Sequence, residues 1–230
     1  MGTKSNLKKF LDKFFNFKVV GKKVIIPYWM NQLENEIYGP FGGKGTPVEI
    51  LEAIFKAAKE QNMDLHKMSK VAINSFMTKN RIGLDCSGFA YQILNFIDLE
   101  RGGDGLENSV VGVGEKMGIT KTNADALTNN TNSIAIENLQ EVKTGDTVRF
   151  HGGKHVMVIT EADEKQIEYA HISSRTKIKG PHLARIHIKD LSLGLEDQVW
   201  EEETKDGKNW KETLFSPISG DGVRRLKIFT

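Results

Sequence analysis

Apolar side chains at Leu7, Phe10, Leu11, Phe14 and Phe15 alternate with lysines at a spacing of three and four. That spacing predicts an amphipathic helix, here part of a helical N-terminal extension over about residues 1–26. A short apolar run at residues 24–26 stops at Pro27. Residues 38–47, "YGPFGGKGTP", are loop chemistry, because Gly supplies positive φ and Pro fixes φ. Thr46 followed by Pro47 reads as a helix cap with Pro at the first helical position, and the helix runs over about 47–62. A second helical pattern covers about 65–78. After Gly83, Phe89, Ile93, Phe96 and Ile97 recur at helical spacing, with Ala90 and Leu94 beside them. A helix that is apolar nearly all round belongs in the core.

The second half changes period. "GDTVRF" (145–150), "HVMVIT" (155–160), "QIEYAHI" (166–172), "ARIHI" (184–188) and "VRRLKIF" (223–229) read as strands split by turns. Residues 101–133, rich in Gly, Asn and Thr, read as an irregular insertion, and the acidic "LEDQVWEEETKDGKNW" reads as an exposed loop or hairpin. Helices followed by a run of strands predict an α+β fold, with N-terminal helices packed on an antiparallel sheet. The expected organisation is one domain over residues 1–230.

The chain has 230 residues, 39% apolar and 27% charged, a balance suited to one globular domain. A net charge of +2 argues against a nucleic-acid partner. The single cysteine excludes an internal disulfide and a cysteine-based zinc cluster. No apolar run is long enough for a membrane span. The N-terminus lacks the apolar core and small-residue cleavage site of a signal peptide, so the expected location is cytoplasmic, or extracytoplasmic if a leader has been removed.

The lone cysteine, Cys86, lies in "RIGLDCSGFAYQIL". Asp85 stands where a helix N-cap would stand, and Cys86 opens the helix. The dipole there favours negative charge, so the thiol pKa is expected to fall below its free value of about 8.5. Ser87 and Gly88 are small, and nearby N–H groups could cradle an oxyanion. A cysteine nucleophile needs a base, and the base an orienter. A hairpin turning around Asp163 sets His155 directly opposite His171, on the face that the Cys86 helix is expected to cover. One ring would then accept the thiol proton and the other would fix its tautomer.

These stretches, "GLDCSGF", "GDTVRF" and "HVMVITEADEKQIEYAHIS", resemble the NlpC/P60 cysteine peptidases, papain-like enzymes whose members mostly cut peptidoglycan stem peptides. The resemblance covers roughly residues 27–174 in pieces. It implies a papain-like fold and a Cys86–His155–His171 triad that needs no metal or organic cofactor. It also implies a peptide or muropeptide substrate with γ-glutamyl linkages. "IPYW" resembles the family's Pro-Tyr element and makes Tyr28 a candidate oxyanion or substrate contact, alongside Ser87 and Asp85. Tyr38 is the competing match. Two helices separate "FGG" from the Cys86 element, and Met157 follows the His-Val pair.

Other readings compete. The same trio suits a cytosolic amidase or an amide or acyl transferase, and the fold without turnover suits a binding module. His151 reads as a loop residue, and His66, His182 and His187 as surface or strand residues. His151, His155 and His171 could converge on a metal, since imidazoles suit zinc. However, no carboxylate or histidine stands at a recognisable ligand spacing, and no metal is expected. Arg175 could meet a substrate carboxylate or simply sit solvated in its loop. "FGGKGTP" lacks the ending of a phosphate loop.

Overall fold

The computed structural model describes residues 2–29, 40–112 and 118–230. The fold is α+β, with a seven-stranded sheet in which every pairing is antiparallel. Helix α1 (Gly2–Phe15) turns Leu7, Leu11 and Phe14 inward. Phe10 stacks on Phe96 with centroids 4.4 Å apart, and Phe14 meets Phe89 at 5.0 Å. Each such burial stabilises the domain by about 1.5–3 kcal/mol, so the N-terminal stripe is core. A two-residue hairpin joins β1 (Lys18–Val19) to β2 (Lys22–Lys23). Val20 and Gly21 both take positive φ there, as that tight connection requires.

Helix α2 (Pro47–Glu60) carries the expected cap as a full capping box between Thr46 and Glu49. The single helix expected over about 65–78 is instead a turn of 3-10 helix (Leu65–Lys67) followed by α3 (Lys70–Lys79). Ser69 accepts from the Ala72 N–H and restarts the helix. Helix α4 (Cys86–Glu100) is the core helix, with Phe89, Ile93, Leu94 and Ile97 fully buried. The irregular stretch after it contains a short helix, α5 (Ala124–Thr128).

The sheet order is β3 (Ser133–Ile136), β9 (Gly222–Leu226), β4 (Thr147–Phe150), β5 (His155–Ala162), β6 (Gln166–His171), β7 (His182–His187) and β8 (Val199–Trp200). Strands β4 to β8 form a meander, and the C-terminal strand inserts between β3 and β4. The pattern of local alternation predicts neither β3 nor β8; both are short and gain strand character from pairing.

Both faces of the sheet are buried. Val156, Val158, Ala170 and Ile172 pack with α1, α2, α3 and α4. Phe150, Met157, Ile159, Tyr169 and Ile186 pack on the other side with Trp200 and Trp210. The reading of residues 195–210 as an exposed loop or hairpin is corrected in its exposure, while Glu203 and Asn209 do pair antiparallel as in a hairpin. The segment folds back over the second face, burying Trp200, Glu202 and Trp210, the last at the start of α6 (Trp210–Leu214). Its acidic residues masked two tryptophans whose burial outweighs the cost of ordering the loop. Among the described residues no helix is long and apolar enough to cross a membrane.

Candidate active site

Asp85 caps α4 through its side chain, which accepts from the Gly88 N–H. Cys86 is therefore the first helical residue. Its own N–H and that of Ser87 carry no hydrogen bond among the described residues, as expected for the opening turn of a helix. Gly88 is required by packing: a Cβ there would come within 2.3 Å of the Gly43 carbonyl oxygen and 2.7 Å of the Lys44 Cα. That close approach seats the 40–46 loop on the helix start and inserts Lys44 beneath it.

The Lys44 ammonium lies 2.9 and 3.1 Å from the two Asp85 carboxylate oxygens and donates to the Ser87 hydroxyl at 2.6 Å. The Ser87 hydroxyl in turn donates to Asp85 at 2.9 Å. Lys44, Asp85 and Ser87 are all buried. The Asp85 oxygens are thus engaged by the cap, the ammonium and a hydroxyl. Tyr28 is held beside this network by a bridge to Leu84 and points its hydroxyl at the Cys86 sulfur, 4.0 Å away. Tyr38 lies outside the described residues.

The two histidines of the β5–β6 hairpin meet, but not in the expected register. Near the turn Glu161 pairs with Glu168 and Ala162 with Ile167; further along, Ile159 pairs with Tyr169 and Val158 with Ala170. The pairing shifts by one residue at Thr160, a β-bulge. His155 and His171 are consequently diagonal neighbours on one face, not directly opposed. Had the register near the turn continued, the rings would lie on opposite faces of the sheet. His155 Nε2 lies 3.1 Å from His171 Nδ1, with both rings buried.

The face they occupy is also a correction. Met157 and Ile159 alternate with the α4-facing Val156 and Val158, so the histidines lie on the side away from α4. Phe150 and Trp210 flank the His155 ring there. The Cys86 sulfur lies beside the Val156 backbone N–H, one residue along β5 from His155. Among the described residues no hydrogen bond joins the thiol to the His155 ring. Both line one cavity of about 1080 Å³, together with Tyr28, His151, Lys154 and Arg175. His155 commits Nε2 to His171, which leaves Nδ1 for that cavity.

The network continues behind His171. His171 Nε2 lies 3.0 Å from a Glu202 carboxylate oxygen and 3.0 Å from His182 Nε2. His182, expected at the surface or merely on a strand, is on β7 but buried, because His171 and His182 are direct partners in the β6–β7 ladder. A sequence signal for it existed: "QIEYAH" and "HLARIH" are alternating runs with a histidine at each end of one loop. No local signal singled out Glu202 from Glu201 and Glu203. Among the described residues, the group whose donor atoms are close enough together to hold a metal ion is not the weighed set of His151, His155 and His171 but His171, His182 and Glu202. His66 is exposed, and His187 is half-exposed and pairs with Glu201.

The electrostatics reverse one expectation. Burial, then the Asp85 carboxylate, push the Cys86 thiol up to about 11; the Tyr28 hydroxyl, Lys44 and the Val156 N–H pull the other way and lose. The helix dipole does not make a resting thiolate here, because desolvating the charge costs more than a helix end returns. Burial holds His155 well below the ordinary imidazole range, with His171 and His151 adding to the effect. Burial also brings His171 down to about 4, against the Glu202 hydrogen bond. Burial alone would raise the Glu202 carboxyl, but the His171 and His182 imidazoles beside it win and hold it at about 2.

The expected result is a Cys86 alkylation rate with iodoacetamide that still climbs past about pH 9, since below its pKa the thiol holds its proton. A plateau reached below about pH 7 would show instead a resting thiolate.

No family model matches the chain, and neither a curated protein nor a solved structure matches it.

Proposed function

We propose that the chain is a cysteine peptidase or amidase of papain-like, NlpC/P60-type architecture that hydrolyses a peptide or isopeptide bond. The observation that carries this reading is the buried His155–His171 hydrogen bond, which leaves His155 Nδ1 for the cavity that Cys86 also lines.

The network assigns the hydrogens. Glu202, ionised, accepts from His171 Nε2–H, which leaves His171 Nδ1 to accept from His155 Nε2–H. His155 Nδ1 then carries a bare lone pair. Thiol and imidazole both rest neutral, and the proton moves as the substrate carbonyl arrives. The Cys86 Sγ–H passes its proton to His155 Nδ1 while sulfur bonds to the carbonyl carbon. The oxygen becomes an oxyanion, held by the N–H groups of Cys86 and Ser87 with the Tyr28 hydroxyl nearby. The C–N bond then breaks, and His155 returns the proton to the leaving amine. Water, deprotonated by the same ring, then bonds to the acyl carbon; the C–S bond breaks, the carboxylic acid leaves, and His155 returns the proton to the Cys86 sulfur. Because Glu202 anchors the far end, the His155 cation is stabilised through His171 by an ionised partner.

Lys154 and Arg175 line the cavity that the thiol also lines. A wall that supplies ammonium and guanidinium groups suits a peptide bearing free carboxylates, such as a γ-linked muropeptide. Incubation with muropeptides of defined linkage, read by mass spectrometry, tests this reading. The expected result is one cleaved amide with a mass gain of one water, absent in Cys86→Ala. An amine-exchanged product in place of the hydrolysed one would identify an amide transferase. Intact muropeptides together with an inert thiol would remove the enzymatic reading.

A further inference from the structure

The relay behind His155 ends in more ligating atoms than an orienting group needs. His171 Nε2, His182 Nε2 and Glu202 Oε2 form a triangle with each pair 3.0 Å apart. All three residues are buried. His182 Nδ1 lies 2.8 Å from the Gly180 carbonyl oxygen. A carbonyl only accepts, so this nitrogen carries a hydrogen, and the neutral ring presents a bare lone pair at Nε2. His171 brings one hydrogen to the triangle and Glu202 brings a negative charge. Three electron-rich atoms thus converge around a single hydrogen, out of reach of water. The three donor atoms are close enough together to hold a metal ion.

The donor set favours the metal. Two imidazoles and one carboxylate are a recurrent zinc set, with bonds of about 2.0–2.2 Å. An ion standing about 1 Å off the plane of a 3.0 Å triangle can reach all three atoms at that length. The His182 Nδ1–H bond to a backbone carbonyl is the support that usually orients a ligating ring. Beside the triangle, the Tyr169 hydroxyl and the Trp210 Nε1 are buried without a hydrogen-bond partner among the described residues. Their rings lie 5.4 and 5.0 Å from that of His171, centroid to centroid. They are polar groups that a water on the ion's fourth position could engage.

We propose that His171, His182 and Glu202 bind a divalent transition-metal ion of the zinc type, and that its arrival silences the Cys86 thiol. The second half rests on the reading of His155 as the base. A metal on His171 Nε2 expels that hydrogen as a proton. The neutral His171 ring then holds its hydrogen on Nδ1, taken from His155 Nε2. His155 recovers a proton from the cavity on Nδ1, so one proton leaves and one enters. The base now faces the thiol with an N–H instead of a lone pair and cannot accept the thiol proton.

The test titrates chelator-stripped full chain with zinc in a calorimeter, and with cobalt while recording its visible spectrum. The expected result is one ion per chain, retained by Cys86→Ala and lost by His182→Gln, whose neutral amide is a poor zinc ligand. Zinc should slow iodoacetamide alkylation of Cys86 about 10-fold or more, the scale of losing a general base, and leave the His182→Gln rate at its own zinc-free value. Circular dichroism establishes that each variant is folded, and Glu202→Gln serves as a second ligand variant. Absence of binding at micromolar zinc would overturn the metal site. Binding that survives His182→Gln but not Cys86→Ala, with a thiolate-to-cobalt charge-transfer band, would place the ion on the thiol and overturn it too. Binding at the triangle with unchanged alkylation would overturn the switch. A zinc-free thiol whose rate ignores His155→Ala would instead remove the peptidase reading, with the metal site still standing.

Discussion

On the peptidase reading proposed above, changing His155 to alanine is expected to lower kcat/KM by about 10²–10⁴-fold, the usual contribution of a positioned acid–base group. On the same reading, changing Cys86 to alanine should remove turnover. The His155 effect should be large because the resting thiol is neutral: burial pushes it up to about 11. An enzyme with a preformed thiolate would keep partial reactivity after losing its histidine, whereas a neutral thiol depends on the base for every attack. The same reasoning predicts that the loss appears in kcat rather than KM, since the proton moves only as the tetrahedral intermediate forms. Steady-state kinetics on any muropeptide that the proposed assay finds cleaved would measure both. A His155→Ala enzyme within about threefold of the wild type would show that another group takes the proton.

Changing Lys44 to methionine destabilises the domain by about 3–5 kcal/mol, the range for breaking a buried pair by removing one partner. Lys44 and Asp85 are 5% and 6% exposed, and the ammonium also holds the Ser87 hydroxyl. Without it the Asp85 charge stays at the foot of α4 with only the Gly88 N–H and Ser87 O–H to stabilise it. Adding Asp85→Asn to Lys44→Met should recover most of the loss, because the amide oxygen still caps the helix while the stranded charge is gone. Denaturant titrations of the single and double variants provide the comparison. A loss below about 1 kcal/mol would mean the pair behaves as a solvated surface bridge. The single variant should also make the thiol harder to ionise, since Lys44 is one of the groups pulling its pKa down.

Much of this arrangement can be read locally. The cap at Asp85, the helix beginning at Cys86 and the capping box at Thr46 are interactions spanning three or four residues, so a short window contains both partners. The stripe of α1 and the strands flanking Asp163 are legible for the same reason: side-chain periodicity encodes which side of an element is buried.

What the chain alone could not announce are quantities summed over distance. The parity that brings His155 and His171 to one face depends on a single bulge at Thr160, one residue gained or lost in a ladder. The face they share was misread because both sides of the sheet are covered, and alternation tells the sides apart without saying which one the Cys86 helix takes. Lys44 reaches Asp85 across 41 residues, and Glu202 reaches His171 across 31. The thiol pKa followed the same rule. The helix dipole that lowers it is local, but the desolvation that raises it comes from everything packed around the sulfur, and only the folded chain sets how much water is excluded.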